Sequence, residues 1–272
     1  FINSKSNADH FVYEVHKDLQ GDTDMKFSAG LSQKIDVLFL CVGHGDAVKF
    51  LSENKVDDKI KVIDLSQDFR LGESVNKRKF VYGLPELNKA AIKKAKNIAN
   101  PGCFATAIQL GLLPLAKAGV LDEIHTTGIT GSTGAGQGLN ATSHFSWRAN
   151  NIQAYKTLSH QHLKEIGQSM LQLNPDSNVD LNFIPWRGNF TRGIFISSQI
   201  KCDLELKEVA ALYKKYYAAH PFIVLSEEPI FLKQVVNTNK CFIQLEKVGS
   251  NLVIHSAIDN LLKGASGQAV QN

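Results

Sequence analysis

The chain has 272 residues, 43% of them hydrophobic, enough for one large domain or two ordinary ones sharing a core; this excludes a disordered, collagen-like or coiled-coil protein. Charged residues make up 21% and the formal net charge is +4, with no Lys/Arg run dense enough to track a nucleic-acid backbone, so no nucleic-acid partner is expected. Cys41, Cys103, Cys202 and Cys241 form no CxxC pair and no apolar stretch reaches bilayer length, so the expectation is a soluble, reduced, cytoplasmic protein without metal site, disulfide framework or membrane partner.

The opening FINSKSNADH lacks the basic and apolar regions of a signal peptide. Phe1-Ile2 reads as the tail of a strand entering a polar loop, as if the chain began inside a domain. Residues 34–41 (KIDVLFLC) form an apolar, strand-forming run closed by Val42-Gly43-His44-Gly45 and followed by a helical pattern through Val48, Phe50 and Leu51. Residues 61–65 (KVIDL) predict a second buried strand with a polar exit at 66–70, and 97–100 (NIAN) a third. Strands alternating with helices imply a parallel sheet, and ligands bind beyond the carboxyl ends of such strands. Gly43 to Gly45, Ser66 to Arg70 and Asn100 to Cys103 therefore share one rim.

From Cys103 the pattern is helical to a stop at Lys117-Ala118-Gly119. Residues 124–130 predict a strand, 131–138 a glycine-rich loop, and 159–173 an amphipathic helix with Leu163, Ile166 and Met170 on one face. Residues 192–201, 241–246 and 252–257 predict long strands, the last two a hairpin through Gly249-Ser250. An antiparallel sheet with helices on one side follows, and then a closing helix from about 258, interrupted by Gly264 and Gly267.

Asn100-Pro101-Gly102-Cys103 ends a strand, turns tightly and opens a helix with a cysteine. Free amides and the helix dipole there stabilise a thiolate, and the same amides can hold the oxyanion formed when sulfur attacks a carbonyl. The alternative is a small residue packing the first turn, the reading accepted for Cys41, Cys202 and Cys241. A thiolate needs a base, and His160 and His162 are the candidates, although residues two apart on a helix point to nearly opposite sides, so only one should face Cys103. Each could equally be a surface histidine.

His44 is either a ligand contact or an ordinary turn residue. The Gly131-Ser132-Thr133-Gly134-Ala135-Gly136 loop has amides and hydroxyls suited to an anion, whereas the GxGxxG fingerprint is absent. Arg70 and Arg192 can hold carboxylate or phosphate through a planar fork, or pair on the surface. Ser4, Lys5 and Ser6 could receive the extra phosphate of NADP, with a solvated loop the better reading.

Taken together, VIDLSQDFRL, VYGLPEL, NPGCFATA, GSTGAG, HQHLKEI, TRGIF and DNLLKGASGQAVQN resemble the N-acetyl-gamma-glutamyl-phosphate reductase family of arginine biosynthesis, the last motif being shared with the wider aspartate-semialdehyde dehydrogenase superfamily. The resemblance implies an α/β fold: a Rossmann-type NADP domain with a parallel sheet (1–102 and 258–272), and an α+β catalytic and oligomerisation domain with a mostly antiparallel sheet (103–257). The family's opening strand and GxxGYTG-type loop are not found in this sequence.

By that resemblance Cys103 matches the nucleophile, His160 the acid/base residue, and His162 a residue that contacts substrate or orients the site. Arg70, Arg192 and Asn100 would contact substrate, while Ser4, Ser6, Gly43, His44, Ser66, Thr133, Gly134, Gly136 and Asn260 would line the cofactor. The implied reaction has NADPH reduce a thioester formed on Cys103 from an acyl phosphate, releasing phosphate and a gamma-semialdehyde, in a homodimer or homotetramer. The sequence departs from relatives at Gln137, at Gln161 and at Trp186-Arg187-Gly188-Asn189-Phe190, which leaves open an acetyl or a succinyl acyl group, with Arg187 or Arg192 as partner of the latter. The rival readings are aspartate-semialdehyde dehydrogenase, a Cys/His thiol hydrolase or acyltransferase without hydride transfer, and a noncatalytic binding protein.

Overall fold

The computed structural model describes residues 2–136 and 138–272, so the expectations attached to Phe1 and Gln137 lie outside the described residues. Ile2–Asn3 pairs in parallel with Phe27–Ser28 as a small separate sheet. The first half is then built from β1 (Val37–Leu40), α1 (Asp46–Glu53), β2 (Lys61–Asp64), β3 (Val81–Tyr82), α2 (Pro85–Lys94) and β4 (Asn97–Ala99). These strands form one sheet in the order β1-β2-β4-β3, parallel throughout. Val62 and Ile63 are both buried, so β2 reads as a continuous apolar run rather than an alternating one.

The second half comprises α3 (Cys103–Ala118), β5 (Glu123–Thr130), β6 (Gln153–Ala154), α4 (Leu163–Leu173), β7 (Asp180–Arg187), β8 (Ile194–Lys201), α5 (Leu206–Tyr217), β9 (Ile223–Ser226), β10 (Cys241–Val248), β11 (Asn251–Ile258) and α6 (Ser266–Gln271). Its strands form one sheet in the order β6-β7-β5-β8-β11-β10-β9. The sheet is mostly antiparallel, as expected, with two exceptions: β7 runs parallel to β5 and β9 parallel to β10. The α4 crossover returns the chain in the direction of β5, as a parallel pair requires.

Buried α3 is the axis of the core. Every residue from Phe104 to Ala116 is buried, which is why its sequence is apolar all round. It packs against α4, α5, β8 and β11, and the Ser256 hydroxyl donates to the Ala107 carbonyl at 2.8 Å. Pro114 lies inside this helix and has no N–H for the Leu110 carbonyl. The Tyr217 hydroxyl of α5 donates to that carbonyl and the Tyr213 hydroxyl to the Gly111 carbonyl, so two tyrosines satisfy the backbone that the proline disturbs. Tyr217→Phe is expected to cost about 1–3 kcal/mol in denaturant unfolding, because it leaves a buried carbonyl unpaired; an unchanged midpoint would contradict this.

The closing helix expected from 258 starts only at Ser266. Residue 258 still belongs to β11, and buried Asp259 then accepts from the Leu261 and Leu262 amides at 2.8 and 3.1 Å, holding a run of turns instead of a helix. Beyond it, Ala269 of α6 packs with Ile63, Ile92 and Ile98 of the first half. Fully buried Lys263 donates at 2.8 Å to equally buried Glu86 of α2, a second tie between the halves. No helix among the described residues is long and apolar enough to cross a membrane.

Candidate active site

Gly102 is the N-cap of α3 and Cys103 its first residue. The side chain faces a cavity of about 450 Å³ lined by Leu65, Arg70 and Asn100 from the carboxyl rim of the parallel sheet and by Tyr155, His160 and His162 from the second half. Close approach explains two glycines. A Cβ on Gly102 would lie 2.3 Å from His162 Nε2, and one on Gly264 would lie 2.8 Å from the Cβ of Cys103.

Beneath the nucleophile turn sits Glu165 of α4, which the sequence reading passed over. Its Oε2 accepts from the Gly102 amide at 3.0 Å and from the Tyr82 hydroxyl at 2.9 Å, and its Oε1 accepts from Arg70 at 3.0 Å. Arg70 is buried and also donates to the carbonyls of Asn100 at 2.8 Å and Leu65 at 3.1 Å. Arg70 therefore lines the cavity, but its fork is occupied by the protein rather than held free for substrate. Glu165 follows His162 by three residues and its Oε1 lies 3.9 Å from His162 Nε2, so its place in the HQHLKEI run was the available signal.

The expectation that only one histidine faces Cys103 fails. Helix α4 begins at Leu163, so His160 lies in the preceding turn and His162 at the N-cap, where helical spacing does not apply. Both are buried, both line the cavity, and their rings are 4.6 Å apart at 77°. His160 Nδ1 accepts from the His162 amide at 3.2 Å, and His162 Nδ1 accepts from the Ala105 amide in the first turn of α3 at 3.4 Å. Each neutral ring thus carries its proton on Nε2.

Burial, reinforced by the neighbouring His162 and Lys156, pushes His160 down to about 3. Burial and the Arg70 charge do the same to His162, also to about 3. The thiol moves opposite to expectation. Burial raises the Cys103 pKa, outweighing the lowering by the Phe104 and Cys103 amides and by Arg70. The resting site is therefore a thiol beside neutral imidazoles rather than a preformed thiolate.

These rings also set a pH dependence of stability. Their folded values lie below the ordinary 6.5, so the stability they contribute is full above 6.5 and is lost as pH falls towards about 3. The expected slope is on the order of 1 kcal/mol per pH unit for each ring. Denaturant unfolding between pH 7 and 4 measures it, and the double variant His160→Asn/His162→Asn flattens it; an equally steep slope in the double variant would refute the assignment.

Other expected site residues fall into two groups. Asn100, His44, Thr133, Gly134, Gly136 and Asn260 line the cavity. Asn100 is nonetheless engaged, donating to the Ala265 carbonyl at 3.0 Å and accepting from Asn272 at 3.1 Å. Asn260 accepts from the Gly193 amide at 2.7 Å and donates to the Thr133 hydroxyl at 3.0 Å. The glycine loop does not present the free amides expected of it. Gly131, Ser132 and Thr133 donate to the carbonyls of Gly193, Phe190 and Thr191, while Gly134 and Gly136 donate within the loop, because the chain continues here as a partner of 190–193.

Arg192, Ser66, Gly43, Ser4 and Ser6 do not line the cavity. Arg192 pairs with buried Asp259 at 3.1 Å, which removes it as a substrate contact. Ser66 is buried, and its hydroxyl donates to Asp64 at 2.8 Å. At the Gly43-His44-Gly45 turn the amides of Gly45, Ala47 and Val48 donate to Asp68 at 2.7, 3.0 and 3.2 Å, so a carboxylate of the protein already occupies the N-terminus of α1, and a cofactor phosphate would meet its charge. Ser4 and Ser6 stand on their loop with hydroxyls 3.3 Å apart.

A nicotinamide fits this arrangement at one end. Leu65, Asn100 and Pro101 form a cavity wall at the carboxyl ends of β2 and β4, continuous with Cys103, and the open space has the size of a small-molecule site. Among the described residues, the α1 and glycine-loop amides already spent on the protein offer no comparable cradle for a diphosphate.

A parallel-sheet domain whose last strand delivers a cysteine at a helix start, backed by a large mixed sheet, is the build of a semialdehyde dehydrogenase. Residues 1–95 match the family model "Semialdehyde dehydrogenase, NAD binding domain" and residues 103–260 match "Semialdehyde dehydrogenase, dimerisation domain". The chain is 54% identical over 273 residues to the N-acetyl-gamma-glutamyl-phosphate reductase of Christiangramia forsetii, covering 100% of this chain and 84% of the relative. It is 52% identical over 275 residues to that of Flavobacterium johnsoniae, covering 100% of this chain and 85% of the relative. The chain belongs to the N-acetyl-gamma-glutamyl-phosphate reductase family. Among solved structures it resembles aspartate semialdehyde dehydrogenase II of Vibrio cholerae with a TM-score of 0.70 at 16% identity, covering 90% of this chain and 81% of that one, a likeness of fold alone.

Proposed function

We propose that the chain uses NADPH to reduce N-acyl-gamma-glutamyl phosphate to the gamma-semialdehyde through a thioester on Cys103, releasing phosphate, as a cytoplasmic homo-oligomer of arginine biosynthesis. Residues 1–102 and 258–272 serve the cofactor, and 103–257 serve catalysis and assembly. The observation that carries this is Cys103 at the first position of α3, on a cavity shared by His160, His162 and the carboxyl rim of the parallel sheet.

In the first half-reaction the Cys103 sulfur attacks the gamma-carbonyl, the carbon–sulfur bond forms and the carbon–oxygen bond to phosphate breaks. The thiol proton ends on the departing phosphate. Neutral His160, with its proton on Nε2, donates a hydrogen bond to the leaving oxygen without giving that proton up, so the thiol proton passes to the phosphate itself. The amides of Cys103 and Phe104 at the start of α3 hold the developing oxyanion. Leu65, Asn100 and Pro101 would hold a nicotinamide, which would supply the hydride when bound. The H+ that the reduction consumes comes from solvent and ends on the sulfur as the aldehyde leaves, with the His160 Nε2–H donating a hydrogen bond to the departing sulfur. His162, held by Ala105 and near Glu165, fixes the wall against which the acyl chain lies.

The test runs backwards: reduction of NADP by N-acetylglutamate gamma-semialdehyde, with and without phosphate. Phosphate-dependent signal is expected. Reduction of NADP only with aspartate semialdehyde would overturn the substrate, and acyl transfer without any NADP reduction would favour a thiol hydrolase or acyltransferase.

A further inference from the structure

One corner of the cavity carries positive charge with no answering carboxylate. Arg187, at the end of β7, lines the cavity, and its guanidinium lies 4.9 Å from the ring of Tyr155, whose centroid is 5.8 Å from that of His160. Behind it is Arg148, 7% exposed, which donates to the Arg187 carbonyl at 3.0 Å and to the Thr142 carbonyl at 3.3 Å. Both have buried donors with nothing to bond: Arg187 Nε and one terminal nitrogen of Arg148. Among the described residues neither forms an ion pair. Lys156, also on the cavity, donates to Gln161 at 2.7 Å and adds a third cation.

Buried cationic donors without acceptors are costly, so they imply an anion that arrives from outside. Arg187 suits a carboxylate, since a guanidinium offers a planar fork of paired donors and this one sits beside the Tyr155 ring on the cavity wall. The other cavity arginine is not available, because Arg70 is spent on Glu165, Asn100 and Leu65. Arg192, the other arginine considered for an anionic acyl group, is paired with Asp259 outside the cavity.

We propose that Arg187, backed by Arg148, is the carboxylate subsite of the pocket, gripping the far end of the substrate while its gamma-carbon meets Cys103. This rests on the reading of the substrate as an N-acyl-gamma-glutamyl compound. Such a molecule presents a carboxylate from one of two sources: the alpha-carboxylate of the glutamyl unit, or a second carboxylate on a dicarboxylic acyl group such as succinyl.

The test compares wild type with Arg187→Met and Arg187→Lys in the reverse assay, using N-acetyl- and N-succinyl-glutamate gamma-semialdehyde and the alpha-methyl ester of the former. Arg187→Met is expected to raise the aldehyde KM about 100-fold, as when one partner of a desolvated charge pair is removed, with the KM for NADP unchanged. Arg187→Lys restores part of the loss. If the alpha-carboxylate is gripped, wild type handles the ester as poorly as Arg187→Met handles the acid; if the acyl carboxylate is gripped, only the succinyl substrate suffers from the variant. Unchanged KM for both acids overturns the subsite.

A second readout does not depend on turnover. N-acetylglutamate and N-succinylglutamate are tested for protection of Cys103 from iodoacetamide. Protection of wild type that is lost in Arg187→Met supports the subsite, while equal protection in both, or none in either, overturns it. Failure of every aldehyde to reduce NADP alongside Arg187-dependent protection would sink the proposed reaction and leave the subsite standing.

Discussion

Replacing Cys103 by alanine is expected to abolish phosphate-dependent NADP reduction, with a loss of at least about 10⁴-fold, because among the described residues no other cysteine lines the cavity to carry the thioester. Cys41 is exposed on the other half, and Cys202 and Cys241 are buried in the second, so none can substitute. The affinity for NADP should change little, since the wall assigned to the nicotinamide is made by Leu65, Asn100 and Pro101. Alanine keeps the Cβ that faces Gly264 and removes only the sulfur, so the variant is expected to fold. Equilibrium binding of NADP beside turnover separates the outcomes: retained turnover rejects the nucleophile, and lost binding means the turn itself collapsed. His160→Asn should then slow turnover more than His162→Asn, because in the proposed reaction the His160 Nε2–H donates to the leaving oxygen and to sulfur, whereas His162 Nδ1 accepts from Ala105 and its Nε2 approaches Glu165.

The legible parts of the molecule were those set by local pattern. The apolar run at Val62 and Ile63, the tight turn at Pro101-Gly102 and the apolar face of α4 each depend on neighbours in sequence, and each produced the element expected of it. Strand β7 was not seen, since Asn182 and Pro185 interrupt its alternation and the parallel partner β5 compensates. What sequence could not disclose was competition for the same amides. A glycine-rich loop and a helix start look alike whether their N–H groups meet a ligand or, as here, Phe190, Thr191 and Asp68. The sign of the Cys103 shift was missed for a related reason: helix-start amides argue for a thiolate, but depth of burial is a tertiary property and it wins. Arg148 and Arg187 lie far apart in sequence, and only the fold brings them together.

The residue with the largest expected effect outside the nucleophile is Glu165, a positioning residue that never touches the reacting atoms. Its two oxygens join four parts of the chain: the Gly102 amide that begins α3, Tyr82 at the end of β3, Arg70 after β2, and α4 itself. Glu165→Gln keeps the shape but must point an NH₂ at a donor, either Arg70 or the Gly102 amide, so the nucleophile turn shifts and kcat should fall about 100-fold with smaller change in KM. Stability should fall as well, because breaking a buried pair leaves the Arg70 charge without its partner, at a cost on the order of 3–5 kcal/mol. The thiol supplies the decisive readout. The Glu165 charge now raises the Cys103 pKa and Arg70 lowers it, so removing the carboxylate leaves Arg70 unopposed, and the pH midpoint of Cys103 alkylation should move down even as turnover drops. A merely structural contact would lower stability without moving that midpoint in this direction. Tyr82→Phe, which deletes one hydrogen bond to the same carboxylate and no charge, should leave the midpoint in place, and a midpoint in Glu165→Gln that stays or rises would show that the carboxylate does not act on the nucleophile.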